Sequence, residues 1–218
     1  MQQGAQWESQ RTSANGVLSF DGADDYVMLD DTVIRSKDLQ ISLAALWKGG
    51  TAKQNLFWFG DETAYMAFTP CNENGVAELT ITDGQTTEHL TASAPLVKGE
   101  WSKITIRIID GKGTLLINGS QTDNSSLSLT PLAVMSAARD DYAFLGKGMT
   151  DRNFKGAVDY MNFYFKEVEE PQLTYSGSET VDNTDPGVSG IRGDVNADGQ
   201  FSIADLVMLQ KYLIRGGT

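Results

Sequence analysis

Between Val17 and Phe165 the chain is a succession of short runs rich in β-branched and aromatic residues: Val17–Phe20, Tyr26–Leu29, Leu39–Trp47, Leu56–Phe59, Tyr65–Thr69, Val76–Thr82, His89–Ala92, Ser102–Ile109, Thr114–Ile117, Ala143–Leu145 and Phe154–Phe165. Runs of this length bounded by turn residues read as strands, and their number predicts an all-β, two-sheet sandwich. Asp83-Gly84, Asp110-Gly111-Lys112-Gly113 and Asn118-Gly119 fall between runs, where such pairs accept the positive φ angles of hairpin turns. Ile41, Leu43, Ala45 and Trp47 alternate with Ser42, Ala44 and Leu46, as in a strand whose outer face is also partly covered. In Leu56-Phe57-Trp58-Phe59 the two-residue period sets Phe57 and Phe59 on one face and Trp58 with Leu56 on the other.

The pattern changes twice outside this region. From Glu167 to Ile191 the chain is polar and rich in breakers, predicting a flexible linker over 167–191 between a sandwich at 16–166 and a small module at 192–218. Residues 1–15 have no clear period, and Trp7 is expected at an edge. In the last segment Ile203, Leu206, Leu209 and Leu213 recur at helical spacing. Before them, Asp194, Asn196, Asp198, Ser202 and Asp205 stand at positions 1, 3, 5, 9 and 12 of a loop with Gly199 at position 6. That spacing turns oxygens inward for Ca²⁺, with Gln200 adding its backbone carbonyl and Asp205 standing where the usual EF-hand has Glu. Asn183 to Gly190 is turn chemistry, so no helix is expected to enter the loop.

Composition narrows the partners. A chain of 218 residues with 40% hydrophobic and 21% charged residues supports one substantial domain and a small module. Its net charge of −12 argues against nucleic acid or an anionic membrane. No transmembrane run or signal peptide is visible, and the single Cys71 excludes an intramolecular disulfide.

Gly193 to Gly199, running into Ala204-Asp205-Leu206 and Lys211-Tyr212-Leu213, closely resembles the first repeat of a type I dockerin. The resemblance covers about the last 26 residues and only one of the family's two repeats, a partial dockerin. It implies Ca²⁺ at Asp194, Asn196, Asp198, Gln200 and Asp205, and a cohesin of a scaffoldin as partner. The cohesin-facing positions fall on Ile203, Ala204, Gln210, Lys211 and Arg215. It further implies a secreted, cellulosome-associated protein. Upstream, Leu18 to Gly22 with Asp25-Tyr26-Val27, Leu56 to Gly60, Gly99-Glu100-Trp101, Leu115 to Gly119, Leu145-Gly146 and Phe154 to Tyr160 stand in the order of a laminin-G-like, concanavalin A-like jelly roll. That resemblance implies a structural Ca²⁺ where the first strand meets the last, on Asp21, the Gly22 carbonyl and Asp159.

The carboxylates Glu62, Glu73, Glu78, Glu88 and Glu100 never pair at two-residue spacing within a strand, so the acid and nucleophile of a glucanase are not expected here. The lone His89, without a Ser or Cys partner, reads as an exposed strand histidine. Trp47 and Trp101 are expected to pack in the structure. Trp58 with Tyr65, beside Arg139-Asp140-Asp141, is the expected aromatic platform for a sugar. The expected function is a non-catalytic carbohydrate-binding module for a polysaccharide, with a laminin-G-type protein-interaction module or a structural spacer as alternatives.

Overall fold

The alternating runs build two antiparallel sheets packed face to face. The computed structural model describes residues 6–8, 17–149 and 152–168, all within one compact unit. Its strands are β1 (Gln6–Glu8), β2 (Val17–Asp21), β3 (Val27–Met28), β4 (Leu39–Trp47), β5 (Phe57–Gly60), β6 (Tyr65–Thr69), β7 (Glu78–Thr82), β8 (Thr87–Thr91), β9 (Trp101–Ile109), β10 (Lys112–Ile117), β11 (Ser120–Ser126), β12 (Ala143–Leu145) and β13 (Lys155–Tyr164). One helix, α1 (Pro131–Ala137), precedes β12. The seven-stranded sheet runs β1-β2-β13-β4-β9-β10-β11 and the six-stranded sheet β3-β12-β5-β6-β7-β8. The late strands β13 and β12 therefore insert beside the earliest ones, closing both sheets with sequence-distant partners.

The core lies between the inner faces. Leu39, Ile41 and Leu43 of β4 and Ile104, Ile106 and Ile108 of β9 meet Phe57, Phe59, Met66, Phe68, Leu79 and Ile81 of β5, β6 and β7. Each fully buried side chain of this kind contributes about 1.5–3 kcal/mol. Phe57 stacks on Phe59 with ring centroids 4.7 Å apart. Trp47 joins the core as expected and donates its indole N–H to Gln54 Oε1 at 2.9 Å. Trp101 does not: it opens β9 on the outer side, paired with Leu46, and is half-buried.

The expected turns form. Asp110 and Gly111 have φ of 50° and 72°, and Asn118 and Gly119 of 52° and 79°, the left-handed pair a two-residue hairpin turn needs. Three features lacked a sequence signal. β11, Ser-Gln-Thr-Asp-Asn-Ser-Ser, is an edge strand with no apolar residue to mark it. The helix α1 has only seven residues, capped by Thr130 Oγ accepting from Ala133 N; a stretch of under two full turns cannot show a helical period. A 3-10 turn at Asp31–Ile34 is shorter still. Trp7 lies in β1, an edge strand paired with β2.

Past β13 the chain is held against the seven-stranded sheet. The buried amide of Gln40 accepts from Val168 N at 3.0 Å and donates to Val168 O at 2.9 Å. Arg107 adds an ion pair to Glu167 at 2.9 Å. Glu167 and Val168, the first residues of the expected linker, are thus fixed. The rest of that linker lies outside the described residues, as does the 192–218 module with the calcium and cohesin residues from Asp194 to Arg215.

Candidate functional site

The site begins at the turn joining β5 to β6. Gly60 has φ of +108°, and a Cβ there would lie 2.2 Å from Ala64 O, so only glycine lets the hairpin close. Asp61 follows. Its Oδ1 accepts from Thr63 N at 2.6 Å, Thr63 Oγ at 2.8 Å and Ala64 N at 2.8 Å, and its Oδ2 from Arg139 N at 2.7 Å. Burial pushes the Asp61 carboxyl up, but these hydrogen bonds outweigh it and hold the group well below the usual carboxylate range. The turn thereby ties the hairpin to the loop after α1. That loop is held again at Asp141, which pairs with Arg35, itself 2.6 Å from Asp31.

This turn sets Trp58 and Tyr65 together. Phe57 and Phe59 enter the core and Trp58 takes the outer face, as the period of two requires, whereas Leu56, expected beside Trp58, precedes the strand and joins the core. The Trp58 indole donates to Asp61 O at 3.1 Å, and its ring stacks on Tyr65 at 4.0 Å and 25°. Trp58 is consequently only 8% exposed. The expectation of an open tryptophan platform is corrected: Tyr65 covers Trp58, and the half-buried Tyr65 is the ring that meets solvent.

The aromatic surface extends beyond this pair. The register places Phe144 of β12 opposite Trp58, and Gly60 N donates to Tyr142 O at 2.8 Å. Tyr142 stacks on Phe144 at 5.3 Å, and Tyr26 meets Phe144 edge-on at 5.5 Å. Lys147 Nζ stands 4.6 Å over the Tyr26 ring, a cation–π distance. Trp58 and Phe144 are a buried floor, while Tyr26, Tyr65 and Tyr142 stay half-exposed. Nothing local in the sequence marks Tyr26, Tyr142, Phe144 and Lys147 as site residues, because only the pairing of β12 with β5 and β3 brings them to the hairpin.

On the other side of Tyr65 the same face becomes polar. Trp58 pairs with Ala67, Ala67 with Thr80 and Thr80 with His89. Glu78 Oε1 accepts from Thr80 Oγ at 3.2 Å and lies 3.4 Å from His89 Nδ1. Its Oε2 accepts from Asn72 Nδ2 at 3.0 Å. His89 is exposed in its strand, as expected. Burial raises the pKa of the Tyr65 hydroxyl, with Lys53 opposing that shift and Glu78 adding to it.

The expected cation site is rearranged. Asp21 pairs with Lys155 and Leu18 with Val158. In this antiparallel register Asp159 lies about 13 Å along the strand from Asp21. Asp21, Gly22 and Asp159 therefore do not converge. Asp21 instead groups with Asp24 and Asp25, their carboxylate oxygens within 4.8 Å of one another. Burial, with the Asp21 and Asp24 charges, raises the pKa of the Asp25 carboxyl despite its hydrogen bond from Asp21 N. Asn153, 9% exposed, donates through Nδ2 to Ala23 O in this loop, while its buried Oδ1 accepts no hydrogen bond from the described residues.

Two antiparallel sheets with late strands inserted beside early ones define a concanavalin A-like jelly roll. The chain belongs to the Laminin_G_3 family, the concanavalin A-like lectin/glucanases superfamily, whose model matches residues 21–174. No curated protein matches it in sequence. Among solved structures it is similar to domain 4 of AbnA, a GH43 extracellular arabinanase from Geobacillus stearothermophilus, in complex with arabinotriose. That likeness has TM-score 0.62 and 17% identity over 75% of this chain and 76% of that one. It is also similar to the CBM40 of the Ruminococcus gnavus IT-sialidase bound to α2,3-sialyllactose, with TM-score 0.60 and 15% identity over 70% of this chain and 91% of that one. The NanB sialidase of Streptococcus pneumoniae matches with TM-score 0.60 and 14% identity over 72% of this chain but only 26% of that one. Among the described residues no helix is long and apolar enough to cross a membrane.

Proposed function

We propose that the sandwich is a non-catalytic carbohydrate-binding module whose ligand lies on the outer face of the six-stranded sheet. The observation that carries this reading is the Trp58–Tyr65 stack, braced by Asp61 and continued by Tyr142 and Tyr26. Sugar rings offer apolar C–H faces that stack on aromatic rings, and rigid, pre-positioned rings lose little entropy on binding. The arabinotriose and sialyllactose in the complexes of the two similar domains support the sugar class without choosing a sugar. Affinity electrophoresis against xylan, glucan, mannan, pectin and arabinan tests it. Retardation by at least one is expected, weakened about tenfold or more by Tyr65→Ala. No retardation by any would instead favour a protein-interaction module.

The same reading includes Ca²⁺ in the sandwich, at Asp21, Asp24 and Asp25 rather than with Asp159. Three carboxylates with oxygens within 4.8 Å of one another are hard donors suited to that ion, and Asn153, with its buried Oδ1, is tied to the same loop at the Ala23 carbonyl. A melting temperature raised by Ca²⁺ in the wild type and unmoved in Asp24→Asn is the expected result.

For the tail, the loop from Asp194 to Asp205 is proposed to bind a second Ca²⁺. Ile203, Ala204, Gln210, Lys211 and Arg215 would face a cohesin and attach a secreted protein to a scaffold. This rests on the order of ligands and glycine in the sequence. Ca²⁺ titration monitored by amide NMR shifts at 194–205 tests it, and unchanged shifts would remove the dockerin reading.

A further inference from the structure

Resting on the carbohydrate reading above, we propose that Glu78, Thr80 and His89 form the hydroxyl-reading half of the same site, so that it takes an internal stretch of a neutral polysaccharide laid across the strands. The register supplies the track. Met28, Phe144, Trp58, Ala67, Thr80 and His89 stand opposite one another on successive strands from β3 to β8. From Phe144 to His89 that row crosses four strand spacings, about 19 Å, room for roughly four linked sugars. The row ends at the two edges of the sheet, β3 and β8, and among the described residues both end positions reach solvent, Met28 being 47% exposed and His89 exposed. A face open at both edges lets a chain continue past it, whereas reading a chain terminus requires a wall.

The two halves of the track differ in chemistry. Tyr26, Tyr65 and Tyr142, resting on the buried floor of Trp58 and Phe144, offer rings to C–H faces. Glu78, Thr80 and His89 offer hydrogen-bonding atoms in a network already ordered by Asn72. An ionised carboxylate has about four acceptor positions, and the bonds from Asn72 and Thr80 leave capacity for sugar hydroxyls. The Glu78 charge, in a chain of net charge −12, disfavours sugars that carry carboxylates. A surface His–Glu pair contributes little to folding, and His89 is exposed while Glu78 is part-buried, so substitution at His89 in particular separates binding from folding.

Titration calorimetry on the full chain distinguishes the outcomes. The probes are two-, four- and six-sugar fragments of whichever neutral polysaccharide retards it, with polygalacturonate as the acidic probe. The four- and six-sugar fragments should bind about tenfold or more tighter than the two-sugar one. Glu78→Gln, His89→Ala and Thr80→Val should remove that gain while leaving two-sugar binding and the melting temperature near wild type. Equal affinity at all lengths, wild-type affinities in all three variants, or preference for polygalacturonate would each overturn the inference while leaving the carbohydrate reading intact. Failure of every polysaccharide to bind would defeat the reading beneath it, and the inference with it.

Discussion

The outer faces of the two sheets solve opposite problems. On the seven-stranded sheet, Gln40, Ser42 and Ala44 point away from the core yet are fully buried. The register sets Ala44 between Tyr160 and Lys103, and Gln40 between Tyr164 and Arg107. Side chains on the middle strand beside longer ones on both neighbours are covered at these three positions, and the Gln40 amide is spent on Val168. On the six-stranded sheet the central strands carry Trp58 and Tyr65, and their neighbours carry Thr80, Glu78 and His89. Trp58 is covered there, but the Tyr65 ring and the unsaturated hydrogen-bonding groups stay at the surface. A buried outer face fixes the path of the chain, whereas an exposed aromatic one is a cost in water unless a ligand uses it.

The largest test removes the ring that belongs to both fold and site. Trp58→Ala should cost about 3–5 kcal/mol, because it empties a buried position and frees the Asp61 carbonyl. Glycan retardation should vanish with it. Tyr65→Ala should weaken binding about tenfold or more at a cost of only about 1 kcal/mol, because Tyr65 lies on the solvent side of the stack. Urea unfolding beside affinity electrophoresis reads both. Equal stability losses would mean that Trp58 and Tyr65 are equally structural and that the distinction between floor and surface is wrong.

Next in size is the turn that aims these rings. Asp61→Asn should destabilise by about 2–3 kcal/mol at pH 7, since a neutral amide cannot replace a carboxylate accepting four hydrogen bonds. The Asp61 pKa is depressed in the folded state. Its contribution is therefore complete above the unfolded value of about 3.9 and is lost as pH falls from there through the folded value. Urea midpoints of wild type and variant should differ at pH 7 and converge as pH drops below about 4. A difference independent of pH would show that the amide serves as well as the charge.

On the closed face, Gln40→Ala should cost about 2 kcal/mol by leaving Val168 and Arg107 without their buried partner. Glycan affinity should not change. A change in affinity would couple the two faces and break the contrast between them.

The parts of this contrast visible in the sequence were those carried by local period. Leu39–Trp47, Tyr65–Thr69 and Ala143–Leu145 appear as strands at the bounds expected of them, and the out-of-phase position of Trp58 put it on the outer face. What depended on pairing between distant strands could not be read. The alternation in β12 marks Phe144 as facing opposite to Ala143 and Leu145, but nothing local says that β12 lies beside β5. The jelly-roll resemblance implied Asp159 beside Asp21, but β13 runs antiparallel past β2 with Lys155 opposite Asp21, which carries Asp159 away along the strand. β11 was invisible because an edge strand of Ser, Gln, Thr, Asp and Asn has no apolar face to declare. The exposure of Trp58 was misjudged because the Gly60-Asp61 turn folds Tyr65 back onto it, an effect of turn geometry rather than of period.

The smallest expected effect lies at the end of the row. Met28 on β3 is 47% exposed and pairs with Phe144 across the sheet edge. Met28→Ser should leave stability within about 0.5 kcal/mol, as for a surface substitution that breaks no core contact. If a glycan runs on past Phe144, the thioether is the last apolar group it meets. Affinity for the six-sugar fragment should then fall about two- to threefold while that for the two-sugar fragment stays unchanged, because an exposed side chain at the rim of a binding surface contributes little. An equal fall for both fragments would move the centre of the site from Tyr65 toward β3, and no fall at any length would end the track at Phe144.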